Sequence, residues 1–373
     1  MLAALLVAAQ ISGGAAPIER SPRLRRTLPN GASIGAEARP DEARVAIQAV
    51  LSQPEGDRLS GYGHRHLLEH LIAARDPELD RRVETVGGAL GASTGRDFLR
   101  LWVSVPPDQT ALGLEVIRTL LRPIAPDDAA VARERALVRR EAALLTGEER
   151  AGRDAWRALY GEAGLDPIGG DAALDDATPA SLARLWQGML AGPRLSLFAA
   201  GPLEPDAAVE RLERIARTFP GSGAQAWSPR EPVASSVAPS AGTFALAVGA
   251  VDDRATLAAL AAALALASEV EGSAVTYTPS VRGGAILLQN QAAARELGAT
   301  VRRGDTGLRN RALNSARLWL AAQGDDALGS SELRATLAAL RSGLVPERVA
   351  AVLAEVREGE LDAAFARWRE EAR

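Results

Sequence analysis

The chain has 373 residues, 47% hydrophobic and 24% charged, and a formal net charge of −4 at pH 7. That composition is ordinary for a globular protein, the length allows two domains, and the lack of a basic surplus argues against nucleic acid as a partner. The sequence contains no cysteine, which excludes disulfides, thiolate metal sites and a cysteine nucleophile.

From the N-terminus, residues 2–9 form a short apolar run followed by small residues. Its length suits a signal-peptide core, although no basic segment precedes it. Residues 1–20 are therefore read as a candidate signal peptide, with a periplasmic or secreted protein as the expectation and a cytoplasmic one as the alternative. Leu28-Pro29-Asn30-Gly31 reads as a turn. Residues 43–51 read as a strand, 53–63 as a loop with Pro54 and three glycines, and 63–74 as a helix. Residues 97–105 alternate like a strand. Helices are predicted over 110–121, 127–145, 151–160 and 180–190, a strand over 195–200 and a helix over 205–219.

Residues 221–242, rich in Ser, Pro, Gly and Ala, read as an interdomain linker. The order then restarts with a strand at 243–248, a helix at 254–270, a strand at 284–289 and helices to the end. The longest apolar stretch, residues 257–267, is mostly alanine and shorter than the ~20 residues of a membrane span. Arg303-Gly304-Asp305 is read as a loop, and the arginine–glutamate pattern of 357–373 as a solvated helix face.

All three histidines, His64, His66 and His70, fall within seven residues. His66-Leu67-Leu68-Glu69-His70 is an H-x-x-E-H pattern. On a helix, His66 and His70 are about 40° apart around the axis, so both imidazoles can reach one ion, and Glu69 flanks that face. A catalytic zinc takes three protein ligands and leaves one position open, and the inverted pattern is a known catalytic motif. Glu69 is placed to take a proton from water. His64 points elsewhere on the helix and reads as a loop or supporting residue. For a third ligand, Glu134 and Glu141 lie seven apart on a predicted helix, within about 20° of each other. One could ligate while the other braces a histidine. Glu78, Glu84 and Asp97 are rivals by composition.

These landmarks together resemble the pitrilysin/insulinase family of zinc peptidases. The resemblance rests on Leu28-Pro29-Asn30-Gly31, on Gly63 through His70, and on Glu78-Leu79 with Glu84-Thr85-Val86-Gly87-Gly88. Glu134-Arg135 through Arg140-Glu141 and Pro167-Ile168-Gly169-Gly170 extend it. It implies one Zn2+ per chain held by His66, His70 and Glu141, with Glu69 as general base and Glu134 supporting a ligand. It implies an α+β fold of two related domains, each an antiparallel-rich sheet packed against helices, closing as a clamshell around a peptide. The zinc-bearing domain would cover residues 24–220 and a shorter, degenerate one residues 243–373.

Departures from the family pattern fall on substrate binding. Gly91-Ala92-Ser93-Thr94 stands where the family has Asn-Ala-Tyr-Thr, so Ala92 marks the expected substrate strand. Gly272 to Ser280 places Tyr277 at the family tyrosine, while Val270 stands where its arginine is expected. A zinc-bearing subunit completed by a homologous partner that supplies an arginine–tyrosine pair, or a homodimer, is the expectation. The alternative is a non-catalytic peptide-binding or structural subunit with a relic metal site.

Overall fold

The computed structural model describes residues 23–52, 63–161, 167–221, 230–240, 243–268, 272–277, 280, 282–289, 306–341 and 344–371. The candidate signal peptide, most of the 53–63 loop, Val270 and the Arg303-Gly304-Asp305 tripeptide lie outside them.

The first half opens with β1 (Arg23–Thr27), β2 (Ser33–Ala38) and β3 (Val45–Ser52), then α1 (His64–Ala73) and α2 (Pro77–Thr85). Strands β4 (Ala89–Thr94) and β5 (Phe98–Val105) precede α3 (Thr110–Leu120), α4 (Asp128–Leu144), α5 (Gly147–Tyr160), α6 (Asp171–Asp176) and α7 (Pro179–Met189). Strand β6 (Leu195–Gly201) and α8 (Pro205–Ala216) complete it. Among the described residues these strands form a six-stranded sheet in the order β1-β2-β6-β3-β5-β4, with only β2 and β6 parallel.

Several of these elements were not expected. β1 is Arg-Leu-Arg-Arg-Thr, a charged edge strand without apolar alternation. β4 is Ala-Leu-Gly-Ala-Ser-Thr, whose small residues carry little strand propensity and which pairs along one side with β5. Helix α2 follows Asp76, whose carboxylate accepts from the Leu79 amide at 3.1 Å. The expected turn is present between β1 and β2, with Gly31 at φ 86°.

The second half consists of β7 (Ser236–Ser240), β8 (Thr243–Val248), α9 (Arg254–Ser268), β9 (Ala274–Tyr277) and β10 (Gly284–Gln289). Four helices follow: α10 (Thr306–Ala322), α11 (Ala327–Leu340), α12 (Pro346–Ala354) and α13 (Glu358–Glu371). Its described strands form an antiparallel sheet in the order β7-β8-β10-β9. β7 corrects the linker reading of 221–242, because that stretch already contains a paired strand. Pro239 disguised it, and proline is tolerated here because β7 is an edge strand whose register shifts between Val237 and Ser240.

Side-chain alternation explains how the halves join. In β3, Val45, Ile47, Ala49 and Leu51 enter the main core beneath α3, a core they share with residues of α1 and α8. The alternate residues Ala46 and Val50 face α11 of the second half, meeting Ala327, Ala335 and Ala339. The second sheet repeats the device: Leu246, Val248, Ile286 and Leu288 enter the core with α9, whereas Ala245, Ala247, Ala285 and Leu287 face Trp156 and Tyr160 of α5 from the first half. Each half thus covers one face of the other's sheet with a helix. This is an α+β architecture of two sheets packed against helices, as expected.

Candidate metal centre

Helix α1 starts abruptly. Gly63 has φ 113°, in the left-handed region, and a Cβ there would stand 2.8 Å from Leu174 Cδ2 and 3.0 Å from Gly169 Cα. Glycine is therefore required where the chain enters the helix. The His64 ring bonds the Ala173 carbonyl at 2.7 Å, which anchors the helix start to α6 and keeps this histidine out of the cluster. Leu67, Leu68, Leu71 and Ile72 bury one face of α1 in the core. Helix α4 is clamped to the α6 segment by Arg135, which donates to the carbonyls of Leu174 (2.7 Å) and Ala177 (2.8 Å). Arg139 pairs with Asp171 and Asp175 in the same region.

Held this way, α1 and α4 bring His66, His70 and Glu141 together. His66 Nε2 lies 3.3 Å from His70 Nε2 and 3.3 Å from Glu141 Oε2, and His70 Nε2 lies 3.5 Å from the same oxygen. With zinc bonds of about 2.0–2.1 Å, the edges of a tetrahedral site measure roughly 3.3–3.4 Å. The three donors thus stand at the separations of three corners of such a site, and two imidazoles with one carboxylate is a zinc donor set.

The electrostatics agree with that fit. Burial first, and the neighbouring His70 second, push the His66 imidazole down to about 3. His66 is therefore neutral at ordinary pH and presents a lone pair. Glu134, 3% exposed, places Oε2 3.4 Å from His70 Nδ1, and Arg133 holds the other oxygen of Glu134 at 3.0 Å. A proton on His70 Nδ1 directed at Glu134 leaves Nε2 free to coordinate, the usual task of a carboxylate behind a ligand histidine. Glu69 is held against the first sheet. Burial raises its carboxyl above the ordinary range, a hydrogen bond from the Thr94 side chain opposes that rise, and the charges of His70 and Glu141 both reach it.

The remaining expected residues fall elsewhere. Glu78 and Glu84 are exposed on α2, and Asp97 is buried in an ion pair with Arg230. Ala92 lies on edge strand β4, which contacts α1. Tyr277 is enclosed in the second core beside Trp319, ring centroids 5.9 Å apart, and its hydroxyl is buried without a partner among the described residues. Contact with a substrate would require that hydroxyl to be uncovered. Two residues had no expected role. Thr94 touches Glu69, and its spacing of two from Ala92 on a strand is the sequence signal that could have flagged it. Arg65 is 1% exposed although it is charged, and helical periodicity gives no warning of that.

The chain has the fold of the M16-like, pitrilysin-type peptidases, a two-domain clamshell. A protease from Helicobacter pylori superposes with a TM-score of 0.78 at 13% identity, covering 95% of this chain and 98% of that one. An M16-like peptidase from Alicyclobacillus acidocaldarius gives 0.73 at 17% identity, with 94% and 96% covered. A structure described as a peptidase M16 inactive domain, from Pseudomonas fluorescens, gives 0.71 at 17% identity, with 93% and 94% covered. Among curated sequences, the beta subunit of the mitochondrial-processing peptidase of Blastocladiella emersonii is 27% identical over 121 residues, 31% of this chain and 26% of that subunit. That match thus spans about a quarter of the relative's length. No family model matches the sequence.

Proposed function

We propose that the chain is a zinc-dependent endopeptidase of the pitrilysin/insulinase family that hydrolyses peptides or unfolded segments. One observation carries the reading: His66, His70 and Glu141 converge at tetrahedral edge distances with Glu69 beside them. When bound, zinc polarises the scissile carbonyl and brings the pKa of a water toward ~7.

The chain's own residues supply the rest. His66 and Glu141 hold the ion with His70, whose orientation Glu134 fixes. Glu69 accepts the proton of the attacking water and returns it to the leaving amine. Its raised carboxyl suits an acid–base group, because efficient proton transfer needs a pKa near the working pH. The edge of β4 that is unpaired among the described residues, with Ala92 at its middle, offers backbone groups to an extended peptide added as a further strand. In this reading the chain works with a homologous subunit that contributes the arginine and tyrosine its own second half does not present, and the mature protein is periplasmic or secreted.

The test is cleavage of a mixed quenched-peptide library by the purified chain, with and without a zinc chelator. Chelator-sensitive cleavage supports a self-sufficient peptidase. One zinc per chain without cleavage, restored by a co-purifying partner, supports the subunit form. Zinc bound and no cleavage in any combination rejects catalysis in favour of a non-catalytic peptide-binding subunit.

A further inference from the structure

Residues 95–98, Gly95-Arg96-Asp97-Phe98, turn the chain from β4 into β5 and are gripped from three directions. From α1, Arg65 donates to the carbonyls of Gly95 (3.0 Å), Arg96 (2.8 Å) and Phe98 (3.2 Å). From the segment leading into β7, Arg230 meets Asp97 Oδ1 at 2.6 Å, and from the second half the Ser280 hydroxyl donates to Asp97 Oδ2 at 2.8 Å. Asp97 and Arg230 are both 2% exposed at their side chains. Arg230 also donates to the Gly283 carbonyl at 2.5 Å. From α5, the Trp156 ring lies 4.0 Å beneath the Arg96 guanidinium, and Tyr160 of the same helix donates to the Gly284 carbonyl at 2.5 Å.

A buried ion pair of this kind is a poor choice for stability alone, since apolar groups of similar volume often do as well or better. What the arrangement adds is position. Thr94 immediately precedes the turn, and its hydroxyl donates to the Arg65 carbonyl at 3.4 Å, so the turn and α1, which carries Glu69 one helical turn beyond Arg65, hold each other from both sides. Asp97, which receives the second half of the chain, is therefore three positions from Thr94, which bonds the helix that carries the proposed base.

We infer that the 95–98 turn couples the two halves. Asp97 and Arg65 act as positioning residues that hold α1, and on it Glu69, in place, while Arg230 and Ser280 bind the second half to the same turn. The second half thereby acts on the proposed site without presenting a residue to it. The catalytic consequence rests on Glu69 being the base; the mechanical coupling does not.

Both levels are tested together in the full-length, zinc-loaded protein carrying Asp97→Asn, Arg230→Lys or the mild Ser280→Ala. Amide exchange is followed by mass spectrometry alongside kcat, KM and zinc content. The expected result is faster exchange in peptides covering 64–73 and 89–98, unchanged exchange over 23–38, and one zinc retained per chain. With correct geometry lost at the base, kcat is expected to fall about 10-fold for Asp97→Asn and about 3-fold for Ser280→Ala while KM stays within about 2-fold. Faster exchange confined to 272–289, with 64–73 and 89–98 unchanged in all three variants, overturns the inference. If the parent protein cleaves no peptide, alone or with a co-purifying partner, but the exchange coupling is seen, the hydrolase reading falls and the coupling stands. If it cleaves and kcat is insensitive to all three substitutions, the positioning role is rejected while the hydrolase reading survives.

Discussion

Helices α1 and α9 hold comparable places, each being the first helix after a central strand of its half, yet the two are built in opposite ways. α9 is Arg-Ala-Thr followed by a run of alanine and leucine, buried at ten positions, with its start capped by Asp253, which accepts from the Thr256 amide at 3.1 Å. α1 has no side-chain cap, enters from a strained glycine, and buries Arg65 and His66 among its leucines. A capped, apolar α9 serves only the core. α1 gives up that ease of folding to carry three polar groups at one edge of the core, and α4, α6 and the 95–98 turn supply the constraint that its own ends lack. Where a helix must hold chemistry, neighbouring elements determine its position.

Changing chemistry on α1 while leaving its packing intact gives the largest expected effect. Glu69→Gln is close in shape and removes the proton acceptor, and general-base groups are worth about 10²–10⁴ in rate. Turnover is expected to fall by that factor with one zinc still bound, measured by peptide cleavage and metal analysis of the same sample. Retained turnover would remove Glu69 from the mechanism. The complementary change strikes packing without chemistry. Leu260 is 1% exposed on α9, and Leu260→Ala should cost about 2–5 kcal/mol of stability through cavity formation. Zinc affinity should not change at temperatures where the variant is folded. Loss of zinc from a folded Leu260→Ala protein would show that the two helices are not independent in the way their packing suggests.

The same comparison shows what the sequence made legible. The candidate cluster could be read in part from helical spacing, His66, Glu69 and His70 within α1 and Glu134 with Glu141 on α4, whereas the choice of Glu141 and its meeting with α1 came only from the family resemblance. The fold class was legible from strands such as β3 and β5, whose apolar residues are dense enough to register. β4, marked only through the resemblance at Ala92, and β7 show no strand pattern because they are edge strands, made of small residues in one case and containing Pro239 in the other, and are held by pairing rather than by propensity. The Asp97–Arg230 pair spans 133 positions, and no local pattern announces a contact of that range. Tyr277 illustrates the reverse difficulty: its place in a motif was visible, but its burial beside Trp319 depends on α10, which is distant in the sequence.

A smaller effect is expected at Glu134. It reaches the proposed ion only through His70 Nδ1, and removing such a supporting carboxylate typically costs about 10–100-fold in metal affinity. Glu134→Ala should therefore weaken zinc binding by about that factor in competition with a chromophoric chelator, while Glu141→Ala should lose more. Equal losses in the two variants would place Glu134 among the ligands themselves.

The smallest effect is a slope. His66 has an ordinary value of 6.5 when unfolded and about 3 when folded without metal. Between those values the unfolded chain binds more protons, so this contribution to stability is fully present above pH 6.5 and is lost as pH falls toward 3. Glu69 acts in the opposite sense: its carboxyl is raised in the folded state, so its contribution is present below 4.5 and is lost as pH rises through the folded value. Zinc steepens the acid side, because its ligands must be deprotonated to bind. Chemical denaturation of the chelated protein in steps from pH 4.5 to 7.5 should show stability rising toward pH 6.5, and His66→Asn should flatten that rise. Leu260→Ala should shift the whole curve down with its shape unchanged, because nothing that titrates in this range lies on α9. An equally steep rise in His66→Asn would mean that the acid sensitivity originates outside the metal cluster.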